Sequence, residues 1–312
     1  MVAMNGFRRW RQQRIRRVSR KIDSIAERGR VRQWFLLAGC ANLAAPSVPD
    51  AAGLTPIYPP GEVFWADPFL CSAAGHHWVF FEEFDLANRR GHINAIELDA
   101  EARPCGETVT VLKESHHLSY PFLLEFGGDL YMIPEKAGTR RVDLYRCIAF
   151  PDRWEYVKTL IDGMALSDPT LFEHEGQWWL FCAARNGRLR VNESLLAFYA
   201  PVPLSDHWTP HQNNPLVLNF SRGRPGGRVF RDEMGRLFRP SQDCVRRYGY
   251  GLNLNEILVL SPAHFEERLI WHLSGDQAGG WHGLHHVDWH HGLVVMDAQR
   301  LVPASGTGPP ML

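Results

Sequence analysis

The stretch Ala66-Asp67-Pro68-Phe69 returns four times in altered form. The later versions are Ser119-Tyr120-Pro121-Phe122, Ser167-Asp168-Pro169-Thr170, Gly223-Arg224-Pro225-Gly226 and Gly283-Leu284-His285-His286. Counted from proline to proline, and finally to His285, the steps are 53, 48, 56 and 60 residues. A repeat near fifty residues marks a radial array of small antiparallel sheets. The chain therefore reads as all-β: a five-bladed β-propeller over residues 34–312, preceded by a basic arm over residues 1–33.

Hairpin arithmetic extends this reading, because opposed residues in a hairpin keep a constant index sum. The turn Gly127-Gly128-Asp129 returns Tyr120 beside Glu135. The turn at Ala74-Gly75 returns Asp67 to Glu82 and Glu83, and Glu175-Gly176 returns Asp168 to Ala184 and Arg185. In the fourth unit Arg224 meets Gln242 and Asp243. Between these ends run apolar, aromatic strands such as WVFF (78–81), LYMI (130–133) and WWLF (178–181), suited to sheets packed on both faces. Inner strands are expected to start near Asp67, Tyr120, Asp168, Arg224 and His285, so that their polar ends meet in one axial pocket.

Charge is balanced overall but unevenly placed. Residues 1–33 hold eleven Lys and Arg against Asp23 and Glu27, leaving 23 basic and 32 acidic side chains beyond them. Such an acidic propeller is a poor partner for nucleic acid, whose recognition rests on phosphate neutralisation. The six cysteines show no CxxC pair and no metal-ligand spacing. Free thiols in a reducing, cytoplasmic compartment are the expectation.

In the arm, Phe7, Trp10, Ile15, Val18, Ile22 and Ile25 recur at helical steps among arginines, the pattern of a basic amphipathic helix. Two readings stand: a helix that binds a partner or makes a peripheral contact with the inner membrane surface through residues 7–25, or a frayed, solvated extension. In either case little packing against the propeller is expected. Leu37-Ala38-Gly39-Cys40 imitates a lipoprotein cleavage box, but Arg28, Arg30 and Arg32 leave too short an apolar run for a signal. Trp34 to Ala45 is expected to be a strand of the fold.

The candidate pocket is acidic. Glycosidic chemistry needs one carboxyl kept ionised and one kept protonated. Asp67, Asp168, Glu135 and Asp243 are the catalytic candidates; the bland alternatives are strand-opening turns for the first two, and pairs with Arg140 or Arg239 for the others. Glu83, His117, Tyr120, Arg185, Arg224, Arg239, Gln242 and His285 are the binding candidates, the arginines suiting an anionic sugar or neutralising the acids themselves. The cluster His282, His285, His286, His290, His291 lacks a defined metal-ligand set, and a turn over 288–292 is expected to expose its end. No metal site is assigned, and a cofactor is not expected. A carbohydrate or glycolipid is the expected ligand.

The strings FWADPF (64–69), FFEE (80–83), GHI (91–93), HHLSYPF (116–122), YMIPE (131–135), SDPT (167–170) and FRPSQD-x₄-YG (238–249) support a closer statement. They resemble the amino-terminal domain of plant glucosamine inositolphosphorylceramide transferases over roughly residues 30–300. More distantly, the chain is similar to the five-bladed propellers of arabinanase-, invertase- and levansucrase-like enzymes. That resemblance implies a base or nucleophile at Asp67 and a transition-state-stabilising or pKa-tuning role at Asp168. It also implies a candidate axial cation beside His285 or His286. In the plant proteins a glycosyltransferase domain follows the propeller, which implies a separate glycosyltransferase as partner here. The two functions that follow are a glycosidase-like or glycosyl-transferring enzyme and a non-catalytic glycan-binding scaffold.

Overall fold

The computed structural model describes residues 2–40, 47–73 and 75–304; within its helix, the side chains of residues 2–8, 21, 22, 25 and 26 lie outside the description. Five antiparallel sheets surround one axis, each built outward from an inner strand. Blade one comprises Val63–Ala73, His76–Asp85, Arg90–Leu98 and Val109–Leu112. Blade two comprises Ser119–Phe126, Asp129–Glu135, Arg141–Ala149 and Arg153–Asp162. Blade three runs Leu166–His174, Gln177–Ala184, Ser194–Ala200 and Thr209–Pro210, with Val217–Leu218 also against its third strand. Blade four has Phe230–Arg231, Leu237–Asp243, Gly251–Leu260 and Phe265–Ser274.

Blade five closes the ring from both parts of the chain. Gly283–His290 and Leu293–Pro303 pair with Arg30–Cys40, which carries Thr55–Ile57 at the rim. The join is long, running from Arg30↔Pro303 to Cys40↔Leu293. The strand expected over 34–45 is thus present, beginning four residues earlier at Arg30; residues 41–45 lie outside the described residues.

The repeated motif has one physical form. In blades one, two and three the inner strand carries an extra residue, at Asp67-Pro68, Tyr120-Pro121 and Asp168-Pro169. The register runs Ala66↔Glu82 then Phe69↔Phe80, Ser119↔Glu135 then Phe122↔Ile133, Ser167↔Ala183 then Thr170↔Phe181. Proline has no N–H for the ladder, so a bulge is placed where the ladder is already broken. The preceding residue is left-handed each time, with φ of 54° at Asp67, 44° at Tyr120 and 54° at Asp168. Blade five bulges at His285-His286, between Leu284↔Ala298 and Val287↔Met296. This extra residue shifts the expected pairing by one: Ser119, not Tyr120, opposes Glu135.

Blade four departs from the expected inner strand. Pro225 and two glycines break it, leaving a bridge at Pro225↔Ser241 and regular pairing only at Phe230–Arg231. Gly227 is required there: its φ is 142°, and a Cβ would stand 1.9 Å from the Val287 carbonyl oxygen. That approach lets the Val287 N–H reach the Gly226 carbonyl, joining blade four to blade five.

The arm is a helix, α1 (Val2–Ala26), but it does not stand apart from the propeller. Arg9 donates to Glu193, Gln12 to Asn219 and Arg16 to the Cys244 carbonyl, while Asp23 pairs with Arg247 at 3.3 Å. The expectation of little packing is therefore corrected. Its cause is the inward helix face, whose polar side chains meet buried Glu193 and open backbone groups in the loops of blades three and four. Among the described residues no helix is long and apolar enough to cross a membrane.

Candidate functional site

The bulges deliver side chains from separate blades to one buried cluster on the axis. Asp168 accepts a forked pair from Arg224, Nε to Oδ2 at 2.5 Å and Nη2 to Oδ1 at 3.0 Å. Arg224 also donates to Asn192 at 3.0 Å and stands over the Tyr248 ring at 4.9 Å. Glu135 accepts the Asp168 N–H at 3.1 Å and lies 3.9 Å from Arg224. Opposite them, Asp67 Oδ1 is 3.6 Å from His285 Nε2, and His285 Nδ1 meets Asp297 at 2.5 Å. The His285 ring is stacked on Trp34 at 4.0 Å.

Two acids hold the bulges of the following blades in the same manner. Asp297 of blade five accepts the Asp67 N–H of blade one at 3.0 Å, as Glu135 of blade two accepts that of Asp168 in blade three. Asp297 further accepts the N–H groups of His285 and His286. Glu82 occupies the register position of Glu135 in blade one, each opposite the residue before its bulge, yet its Oε1 is buried and has no hydrogen-bond partner among the described residues. His117 Nε2 lies 3.6 Å from it. His117 Nδ1 accepts the Gly91 N–H at 2.9 Å, which leaves the proton of the neutral ring on the nitrogen facing Glu82. Burial of the ring, and His116 beside it, lower the His117 pKa and keep it neutral.

Electrostatics separate these carboxyls. Burial pushes Asp67 up to about 7 despite His285, with Asp297 and Asp168 adding to the rise. Burial and Asp168 push Glu135 up to about 8. Glu82 is raised well above the ordinary range by burial, then by Asp67 and Glu135. Asp297 is instead held below the usual range by His285, whose own pKa Asp297 raises. The cluster therefore holds proton-bearing and ionised acids side by side.

The structure brings together Asp67, Glu135, Asp168, Arg224, His117 and His285 of the expected residues, and it displaces others. Glu83 is corrected to Glu82: alternation along the strand turns Glu83 away, to the Trp65 indole at 2.7 Å and His92 at 3.5 Å. Asp243 spends its oxygens within blade four, on the Val245 N–H at 2.8 Å and His272 at 3.0 Å. Arg239 is buried in a forked pair with Glu267 and donates to the Arg222 carbonyl, and Gln242 donates to the Pro225 carbonyl. Arg185 is exposed just beyond blade three's second strand. Tyr120 is fully buried; its hydroxyl engages Thr170 at 2.7 Å and the Gly227 carbonyl at 3.3 Å, so it ties three blades together rather than presenting a free hydroxyl. Arg140 donates to the Gly163 carbonyl and does not pair with Glu135. Asp288, expected in an exposed turn, is a buried strand residue paired with Arg228 at 3.1 Å.

Three contributors escaped the sequence reading, Asp297, Tyr248 and Asn192, while Glu82 was left as the alternative to Glu83. A lone Asp in the apolar run LVVMDA (293–298) was the available signal for Asp297. Asp67, His285 and Asp297 place ligand atoms within 4.8 Å of one another. Their chemistry fits a cation poorly, because Asp297 is already spent on three N–H groups and the His285 imidazole, leaving Asp67 as the uncommitted one of the two carboxylates.

The family described as "Glucosamine inositolphosphorylceramide transferase 1, N-terminal" matches residues 41–302. Glucosamine inositolphosphorylceramide transferase 1 of Arabidopsis thaliana is 34% identical over 243 residues, covering 72% of this chain and 30% of that protein. The protein of the same name from Oryza sativa subsp. japonica is 32% identical over 262 residues, 78% of this chain and 34% of its own length. The chain thus spans about a third of the curated relatives it matches. Among solved structures, a family 117 glycoside hydrolase of Zobellia galactanivorans aligns with a TM-score of 0.53 at 11% identity, over 88% of this chain and 93% of that one. The catalytic domain of a Coprinopsis cinerea GH62 α-L-arabinofuranosidase gives 0.52 at 12% identity, over 74% and 73%. At such identities these two likenesses speak for the fold, whereas the sequence match decides membership: the chain belongs to the glucosamine inositolphosphorylceramide transferase 1 N-terminal family.

Proposed function

We propose that the axial cluster binds a glycosyl group and catalyses its transfer, to water or to an acceptor hydroxyl, by acid–base chemistry. The observation that carries this reading is Glu82: it stands in the register position from which Glu135 holds a neighbouring bulge, yet its buried Oε1 is unspent. A protonated Glu82 gives its proton to the departing glycosidic oxygen. Asp67, poised at about 7, takes the proton from the attacking hydroxyl or water. Asp168, clamped by Arg224, supplies negative charge near the developing cation. Buried Trp34 stacks on His285 and Tyr248 meets the edge of the same ring, so the two aromatic side chains fix the imidazole in place. All six cysteines are unpaired, which suits the expected reducing, cytoplasmic setting.

The test is a screen of the purified chain against aryl glycosides and sugar-nucleotide donors, with Asp67→Asn, Glu82→Gln and Asp168→Asn beside the unaltered protein. Loss of turnover by about two orders of magnitude or more in Asp67→Asn and Glu82→Gln is expected. Turnover unchanged in both overturns the assignment.

A second reading rests on the share of the relatives that this chain matches. Their transferase name belongs to proteins about three times as long as the matched region. The propeller then binds the glycan and a separate glycosyltransferase acts on it. Saturable glycan binding that depends on Arg224, without turnover of any donor, selects this reading.

A further inference from the structure

Among its described side chains, helix α1 turns polar ones inward, the reverse of an ordinary surface helix. Arg9, Gln12, Arg16, Ser19 and Asp23 are buried or half-buried, the first three and Asp23 bonded to propeller residues. The opposite side carries Trp10, Ile15 and Val18, which are 51%, 37% and 59% exposed. Arg11, Arg14, Arg17 and Arg20 are exposed among them, and the Arg14 guanidinium sits 5.2 Å from the Trp10 ring. No Asp or Glu occurs in residues 1–22, against eight Lys and Arg.

We propose that this outward stripe docks the protein on an anionic lipid bilayer, with the axial pocket on the membrane-facing side. Apolar side chains flanked by arginine, without acidic neighbours, complement an interface of acyl chains beneath anionic headgroups. The alternative of a solvated extension leaves the inward hydrogen bonds and the outward apolar stripe unexplained together. The helix rests on residues 193, 219, 244 and 247, and past its end Glu27 reaches His282 at 3.1 Å. These lie in the connections at the end of the blades where Asp168 and His285 enter their strands. A bilayer on the outer side of α1 therefore faces the end of the ring at which the axial cluster lies.

The experiment is sedimentation of the full chain with vesicles of phosphatidylcholine alone or mixed with phosphatidylglycerol, at low and high salt. Two variants accompany it: Trp10→Ser/Ile15→Ser/Val18→Ser and Arg11→Glu/Arg14→Glu/Arg17→Glu, all at exposed positions, with melting temperature as the check on folding. Binding to the anionic vesicles alone, weakened by salt and by the apolar triple change, is expected. The charge-reversed variant should lose about a hundredfold or more in affinity. Absence of binding by the unaltered chain, equal binding to phosphatidylcholine alone, or unchanged binding by both variants overturns the proposal. Salt and lipid dependence of the unaltered chain decide the matter even where a variant fails to fold. Vesicle binding with no glycosyl turnover or glycan binding would leave the docking standing and remove the proposed function.

Discussion

Asp168 and Arg224 meet across the boundary between blades three and four as a forked ion pair with contacts of 2.5 and 3.0 Å. Asp168 is 1% exposed, so its charge depends on this partner and not on water. Its N–H is simultaneously bound by Glu135, which ties the pair to blade two.

Breaking one side of such a pair strands a charge in a low-dielectric site. Arg224→Ala should cost about 3–5 kcal/mol of stability, read from urea unfolding. Arg224→Lys keeps the charge but loses the fork, and should cost less while still weakening glycan binding. An unchanged unfolding midpoint in Arg224→Ala would contradict the buried pair.

The acids at the axis predict the shape of a pH–rate profile. A base at about 7 must be ionised, so turnover should rise through neutrality. The acid must keep its proton, and Glu82 lies well above the usual range, with Glu135 beside it at about 8. Turnover should therefore fall on the alkaline side, giving a bell with its maximum near neutral to slightly alkaline pH. Because the groups interact, the two limbs belong to the cluster and not to single residues. Glu82→Gln should remove the alkaline limb in whatever activity remains, since the amide has no proton to lose.

The sequence carried the ring and most of the pocket, for a physical reason. Three of the four bulges place a proline after a residue of positive φ, so the recurring prolines made Asp67, Tyr120 and Asp168 legible, whereas the His285-His286 bulge has no proline to mark it. Index sums then located Glu135 and Arg224 within one residue. They failed where the bulge itself adds a residue, and they could not decide between Glu82 and Glu83, because one step along a strand reverses the face. Arg239 and Asp243 were misplaced for a different reason. Their partners Glu267 and His272 lie on the outermost strand of blade four, a long-range pairing with no local signature. The arm's amphipathic period was plain in the sequence, but which face would turn inward depended on loops nearly two hundred residues away.

Gly227→Ala tests the join between blades four and five. The added Cβ would lie 1.9 Å from the Val287 carbonyl oxygen at a φ of 142°, so the strands must part or the backbone must twist. A loss of about 2 kcal/mol or more is expected in denaturant unfolding. Gly187→Ala is the control: nothing lies within 4 Å of its added carbon, and the change should stay within about 0.5 kcal/mol.

Glu82 should also govern how stability responds to pH. An acid whose folded pKa stands above its unfolded value binds more protons when folded, so stability falls as pH rises from the unfolded pKa through the folded one. For Glu82 that window opens near the ordinary carboxylate range and extends well above it, because burial and then Asp67 and Glu135 oppose its ionisation. Glu82→Gln removes the titrating proton while preserving the shape. The variant should melt close to the unaltered protein at about pH 5, where Glu82 is protonated in the native state, and above it by a few degrees at about pH 9. The difference in melting temperature should therefore widen with pH. A difference that is constant, or that narrows as pH rises, would mean that Glu82 is ionised in the native pocket and is not the proton donor.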